Sequence, residues 1–328
     1  MTRKLVPLLA LLIAFALFFA AGEILMRLYT WKFISYDVEM TRYAMEVKKE
    51  AGNPNIGHVH RPGAEATLMG VPVEINDDGF RDKNYPLERT PARRYIFLGD
   101  SLTMGWGVRK ELIFETLLEN SLNQRAPTEI INFGTGNYNT VQEVNLFLAK
   151  GLKYKPDEVV LFYFINDAEP TPVVSRWEAL GNSRFITFFW SRIKSLASRL
   201  DEKQSFQGYY AGLYAYDQPG WKAAQDAFVL LKKTCDENKI TLKVVILPEL
   251  HDPAHYPFAA EHRKVLDFLA KIGIPALDVT PAFAGVTEPV RLWVALDDAH
   301  PNAQAHAIIA RAAERFIAGE SNGTGKPH

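Results

Sequence analysis

Residues 94–108 read RYIFLGDSLTMGWGV. Tyr95 to Leu98 is an unbroken apolar run, the pattern of a strand buried on both faces. Gly99-Asp100-Ser101 follows at once, and glycine lets the chain turn sharply there. A serine placed so sits at a strand-to-helix turn, exposed at the edge of a sheet. Four more apolar runs lie downstream: EIINF (129–133), EVVLFYFI (158–165), LKVVILP (242–248) and IPALDV (274–279). Amphipathic stretches at 111–124, 141–152, 221–238, 259–271 and 303–317 separate or follow them. Strands alternating with helices predict an α/β fold with a parallel sheet of five strands covered on both faces. In such sheets ligands bind beyond the carboxyl ends of the strands.

The residues at those ends are therefore the ones to read for chemistry. Ser101 follows the first strand. A serine hydroxyl is a weak nucleophile that needs a neighbouring base, and a serine after a strand also serves commonly as a helix cap. The second strand runs into Asn132-Phe-Gly-Thr-Gly136-Asn137, where glycine admits a close backbone approach. The third ends in Phe164-Ile-Asn166-Asp167, whose Asn166 amide is a donor able to aim into the same pocket. After the fifth come Asp297-Asp298-Ala299-His300. Asp297 is expected to orient the His300 imidazole, and Asp298, with its tighter spacing, to face elsewhere. Each piece has an ordinary turn or capping role open to it; four in this order, each at a strand end, make a constellation.

Those residues resemble the SGNH/GDSL hydrolase superfamily. Ser101 in GDS matches its nucleophile, Gly136 in NFGTGN its second-block glycine (with Gly134 as competitor), Asn166 in FIND its third-block asparagine, and Asp297 with His300 its final DxxH. NDDGFRDKNYP (76–86) upstream, with GDSLTMGWGV, is similar to bacterial members carrying an N-terminal membrane helix. One departure is Phe164, where the family often has glycine. The resemblance implies a three-layer α/β/α flavodoxin-like fold and a serine esterase. Its triad would be Ser101, His300 and Asp297. Its oxyanion hole would be the Ser101 and Gly136 backbone N–H groups and the Asn166 side chain, with no cofactor and no metal. Acetyl esters are the expected substrates, on a glycan or a lipid. The same residues would serve an O-acyltransferase acting on surface glycans, a lipid-directed esterase, or a non-catalytic assembly protein on the same scaffold.

The N-terminus sets the compartment. Arg3 and Lys4 precede an uncharged apolar run from Leu5 to Gly22, which as a helix reaches about 27 Å, near the thickness of a bilayer core. Positive charge before the run favours a cytoplasmic N-terminus and a periplasmic or extracellular main domain. ILMRLYTWKF (24–33) extends the run, so a retained single-pass anchor is expected over a cleaved signal peptide. The expected organisation is an anchor at 1–33, a stalk and lead-in region at 34–92, the hydrolase domain at 93–319 with an insertion at about 169–216, and a flexible tail at 320–328. The insertion carries FITFFW (185–190), read as a helix packed on the body or a surface dipping into the membrane. The net charge of −1 lacks the clustered basic face that nucleic-acid binding needs. Cys235, the single cysteine, lies in a helical pattern and reads as a packing residue. His251, His255 and His306 read as loop or capping histidines.

Overall fold

The computed structural model describes residues 2–172, 183–199 and 205–320. The expected tail beyond 320, and residues 173–182 and 200–204 of the expected insertion, lie outside them.

The central sheet is built from β5 (Arg93–Leu98), β6 (Thr128–Asn132), β7 (Glu158–Tyr163), β8 (Thr241–Ile246) and β9 (Ala276–Asp278). All pairings are parallel, in the order β6-β5-β7-β8-β9. In order of appearance that is 2-1-3-4-5, the flavodoxin-like arrangement, whose ligand crevice opens where the order reverses. Here that point lies beside the ends of β5 and β7. Alternation along each strand feeds two cores. Ile96, Leu98, Val159, Leu161 and Tyr163 point into one, while Tyr95, Phe97, Val160 and Phe162 point into the other.

The helices, in chain order, are α1 (Thr2–Lys32), α2 (Tyr36–Glu46), α3 (Ser101–Met104), α4 (Phe114–Asn123), α5 (Thr140–Leu146), α6 (Arg184–Arg199), α7 (Phe206–Leu213), α8 (Pro219–Glu237), α9 (Ala259–Lys271) and α10 (Ala303–Ala318). Apolar residues of α8 and α9 close the first core, including Trp221, Phe228, Val265 and Leu269. Leu118 and Leu122 of α4 with Ile309 and Ile317 of α10 close the second. Cys235 is buried in the first, as a packing residue.

The lead-in region is tied into the body. Two short alternating runs split by Gly70 form an antiparallel hairpin, β3 (Glu65–Leu68) with β4 (Val71–Glu74). Ahead of it, β1 (Lys48–Glu50) pairs with β2 (His58–His60). Tyr43, Val47, Leu68, Met69, Val73 and Ile75 make a third core with Met104 and Trp106 from the far side of the sheet's edge. Arg81, fully buried, donates to the carbonyls of Pro72, Gly105 and Val108. One guanidinium thereby locks the hairpin to the loop after α3. The expected stalk helix is α2, and it packs against the catalytic edge rather than standing free.

In α1, Val6–Thr30 is long and apolar enough to cross a membrane, with mean hydropathy 2.5. Its side chains are largely exposed, which suits a lipid solvent. The amphipathic α6 lies against its C-terminal half: Phe185 meets Phe18 and Phe19 edge-on, and Arg192 pairs with Asp37 of α2.

Candidate active site

Ser101 is the first residue of α3. Asp100 caps that helix by accepting the Leu102 N–H at 2.8 Å. A Cβ at Gly99 would lie 2.0 Å from Thr103 Oγ1, so only glycine lets the turn close. The first N–H groups of a helix have no intrahelical acceptor, which leaves the Ser101 N–H as a donor at the sheet edge.

Ser101 Oγ is 2.8 Å from His300 Nε2. On the other side of the ring, His300 Nδ1 is 2.5 Å from Asp298 Oδ1, whose second oxygen accepts from Trp106 Nε1 at 2.8 Å. Asp298 also takes the His300 backbone N–H at 3.1 Å. The carboxylate on the histidine is thus Asp298, and the expectation for Asp297 is corrected. The reason is local. Residues Asp298–Pro301 form a strand, β11, paired with β10 (Trp293–Ala295). Side chains two apart share a strand face, whereas those three apart do not. Asp297 instead accepts the Tyr36 N–H at 3.3 Å, at the N-terminus of α2, where a carboxylate is favoured.

The electrostatics follow from this chain of contacts. Burial raises the Asp298 carboxyl, but the His300 charge and the hydrogen bonds outweigh it, and the net displacement is downward. Burial lowers His300, but the Asp298 charge and hydrogen bond outweigh that, holding the imidazole above its ordinary 6.5. Behind Ser101, burial raises Asp100, Glu143 and Asp167.

Asn166 follows β7 and donates from Nδ2 to Asp100 Oδ2 at 3.3 Å. An amide nitrogen carries two hydrogens, so one is left for the space beside Ser101. Gly136 departs from expectation. Its N–H is given to Tyr43 Oη at 2.9 Å, and a Cβ there would lie 2.7 Å from the Tyr43 ring. Glycine at 136 makes room for a tyrosine, not for a ligand. Gly134 is likewise packed: its N–H goes to Asn132 Oδ1, and a Cβ would lie 2.2 Å from the Met104 nitrogen.

These groups border a cavity of about 260 Å³, lined by Ser101, Asn137, Asn166, Asp298 and His300 together with Tyr36, Phe164, Phe206, Tyr210 and His251. Tyr36 lies 5.8 Å from the His300 ring, centroid to centroid. His251 is bound to Glu249, whose hydrogen bond raises its pKa. It is a wall residue, while His255 is exposed and His306 accepts the Phe114 N–H at 3.0 Å. Sequence reasoning missed Trp106 and Tyr36. Trp106 stands inside the quoted GDSLTMGWGV motif, the one signal that could have found it. Among the described residues no cluster of His, Cys, Asp or Glu could hold a metal.

The model of the GDSL-like lipase/acylhydrolase family matches residues 97–308. The chain belongs to that family and is an ester-hydrolysing enzyme. Similar solved structures include the psychrotrophic esterase EstA from a Pseudoalteromonas species, at 15% identity and TM-score 0.45, covering 69% of this chain and 97% of that one. The lipase/acylhydrolase from Enterococcus faecalis is 15% identical, with TM-score 0.44 over 69% and 96% of the two chains. An acetyl xylan esterase is 14% identical, with TM-score 0.42 over 70% and 100%. No curated protein matches the sequence.

Proposed function

We propose that this enzyme is a membrane-tethered serine esterase that removes short acyl groups, acetyl above all, from esters outside the cytoplasm. The observation that carries the reading is the unbroken hydrogen-bonded run from Ser101 through His300 to Asp298 at the floor of an open cavity.

In this reading Ser101 Oγ attacks the ester carbonyl carbon while His300 Nε2 takes the hydroxyl proton. Asp298 stays ionised, fixes the Nδ1–H tautomer and stabilises the imidazolium. The carbonyl electron pair moves onto oxygen, where the Ser101 N–H and the Asn166 amide meet a charge that exists only in the transition state. Collapse expels the alcohol, which leaves with the proton from His300. A water molecule then repeats the sequence, releasing the acid and restoring the serine. Phe164 in the cavity wall supports a short acyl group, and Tyr36, Phe206 and Tyr210 supply flat faces suited to the apolar side of a sugar. Arg3 and Lys4, in the first turn of α1 and ahead of its apolar span, support an outward-facing catalytic domain.

The test uses the full chain in detergent, wild type beside Ser101→Ala, with a fluorophosphonate probe and p-nitrophenyl esters of rising chain length. Labelling of wild type alone, with fastest turnover of the acetyl ester, is expected. A folded wild type that neither labels nor turns over would remove the hydrolase reading. Preference for long chains would redirect it to lipids.

A further inference from the structure

The loop after β6 can be accounted for donor by donor. The Phe133 N–H goes to Phe97 O at 2.8 Å and the Thr135 N–H to Gly99 O at 3.0 Å. Gly134 gives its N–H to Asn132 Oδ1 and Gly136 gives its own to Tyr43 Oη. Tyr138 donates to Thr135 O at 3.3 Å, and Asn139 to Gln142 Oε1 at 3.2 Å. From 133 to 139, only the Asn137 N–H meets no acceptor among the described residues. Of Gly134, Thr135, Gly136 and Asn137, it is also only Asn137 that lines the cavity with Ser101, Asn166 and His300.

The orientation of that N–H is set by its own peptide plane. The carbonyl of the same unit, Gly136 O, lies 3.0 Å from His58 Nε2, on the lead-in side of the loop. The described chain has no cis peptide bond, and in a trans peptide the C=O and N–H point to opposite sides. The Asn137 N–H therefore faces away from His58. Asn137 holds this geometry with φ +66, a left-handed conformation that asparagine tolerates better than most residues. Its side-chain Oδ1 is fastened by Lys48 Nζ at 2.7 Å, and Lys48 is itself buried, its ammonium 4.4 Å from the centre of the Tyr43 ring.

We propose that the Asn137 backbone N–H is the third oxyanion donor, beside the Ser101 N–H and the Asn166 amide. Lys48 and His58 of the lead-in region are the positioning residues that aim it. This rests on the serine-esterase reading above. It moves the donor one residue from Gly136, and it makes the segment ahead of the hydrolase fold part of the catalytic apparatus. A hydrogen bond to the carbonyl of a peptide strengthens the donor at its other end, so the His58 contact favours the same role.

The experiment replaces one backbone N–H at a time by oxygen in the full chain, inserting an α-hydroxy acid at 137 or at 136 by nonsense suppression. Each product is compared with the amide variant bearing the same side chain, using p-nitrophenyl acetate. The ester at 137 is expected to lower kcat by about a hundred- to a thousand-fold with KM nearly unchanged, as for other single oxyanion donors, while the ester at 136 leaves kcat within a few-fold. The reverse ranking, or equal small effects, overturns the proposal. Lys48→Met is a second arm that leaves the backbone chemistry intact. It should lower kcat rather than raise KM, and a fall in melting temperature with kcat unchanged would assign Lys48 a purely structural role and sink the positioning claim. Fluorophosphonate labelling of wild type separates the two levels. If wild type fails to label and turn over, the underlying esterase reading falls and this assignment with it. If wild type is active and the 137 ester is equally fast, only the assignment falls.

Discussion

The two sides of the cavity are built on different principles. One side comes from the sheet: Ser101 follows β5 and Asn166 follows β7, each delivered by a strand end and a tight turn. The other side comes from the lead-in region, which reaches over the sheet edge with Tyr36, Tyr43, Lys48 and His58. The sheet side is held by apolar burial in two cores. The lead-in side adds to its small apolar core a set of buried polar contacts, among them Arg81 on four carbonyls and Tyr43 between Gly136 and His60. Burial is tolerant of detail, whereas a buried polar group left unpaired carries its full desolvation cost. In the proposed assignment Ser101 and Asn166 sit on the tolerant side, and the residues that aim the Asn137 N–H on the exacting one.

The sharpest way to break that division is to exchange the two adjacent aspartates. Asp298→Asn should lower kcat by about ten-thousand-fold, because the wrong imidazole tautomer is then favoured, with little loss of fold. Asp297→Asn, at a carboxylate whose one hydrogen bond among the described residues comes from the Tyr36 N–H, should cost less than tenfold. Equal losses in kcat would dissolve the assignment. The pH profile sharpens the same pair. His300 must be neutral to act as base, so activity falls as pH drops through a pKa held above 6.5 by Asp298. In whatever activity Asp298→Asn retains, the acid limb should move to lower pH.

Asn166→Ala comes next, with an expected loss of about a hundred- to a thousand-fold in kcat and an unaltered circular dichroism spectrum. Turnover at the wild-type rate would remove Asn166 from the chemistry. A smaller effect is expected from Trp106→Phe, which leaves one oxygen of a buried carboxylate without its donor. Chemical denaturation should show a loss of about 1–3 kcal/mol, and an unchanged stability would mean the indole contact is dispensable. Smallest of all, Phe164→Gly should shift the preferred acyl chain upward by a few carbons, since each methylene is worth about tenfold or somewhat more in an apolar pocket. An unchanged chain-length profile would take Phe164 out of specificity.

Legibility from sequence follows the same division. The parallel sheet could be read because strands buried on both faces are written as contiguous apolar runs, and the helix expected at 259–271 is α9, Ala259–Lys271. Ser101, Asn166 and His300 could be placed together because parallel pairing carries the carboxyl ends of the strands they follow to one edge. Asp297 was the wrong neighbour for His300 because the period of the segment was not visible. Residues 298–301 are a strand only by virtue of pairing with Trp293–Ala295, and a turn would have favoured the other aspartate. Gly136 misled for a related reason. A glycine announces that something comes close, but not what, and the answer, Tyr43, lies 93 positions away. In the lead-in region the helix and the hairpin could be read, but their hold on the loop after β6 could not, since it depends on long-range polar contacts that leave no periodic trace.

The short join between α1 and α2 fixes a working distance. Thr30 is the last residue of the apolar span, and Tyr36 already touches the His300 ring. Six residues can reach at most about 20 Å even when fully extended. In the proposed membrane-tethered form, Ser101 would work in a thin layer above the headgroups, with no tether on which to swing outward. Its encounters become a search in two dimensions, in which a molecule's own residence at the surface counts for as much as its fit to the cavity.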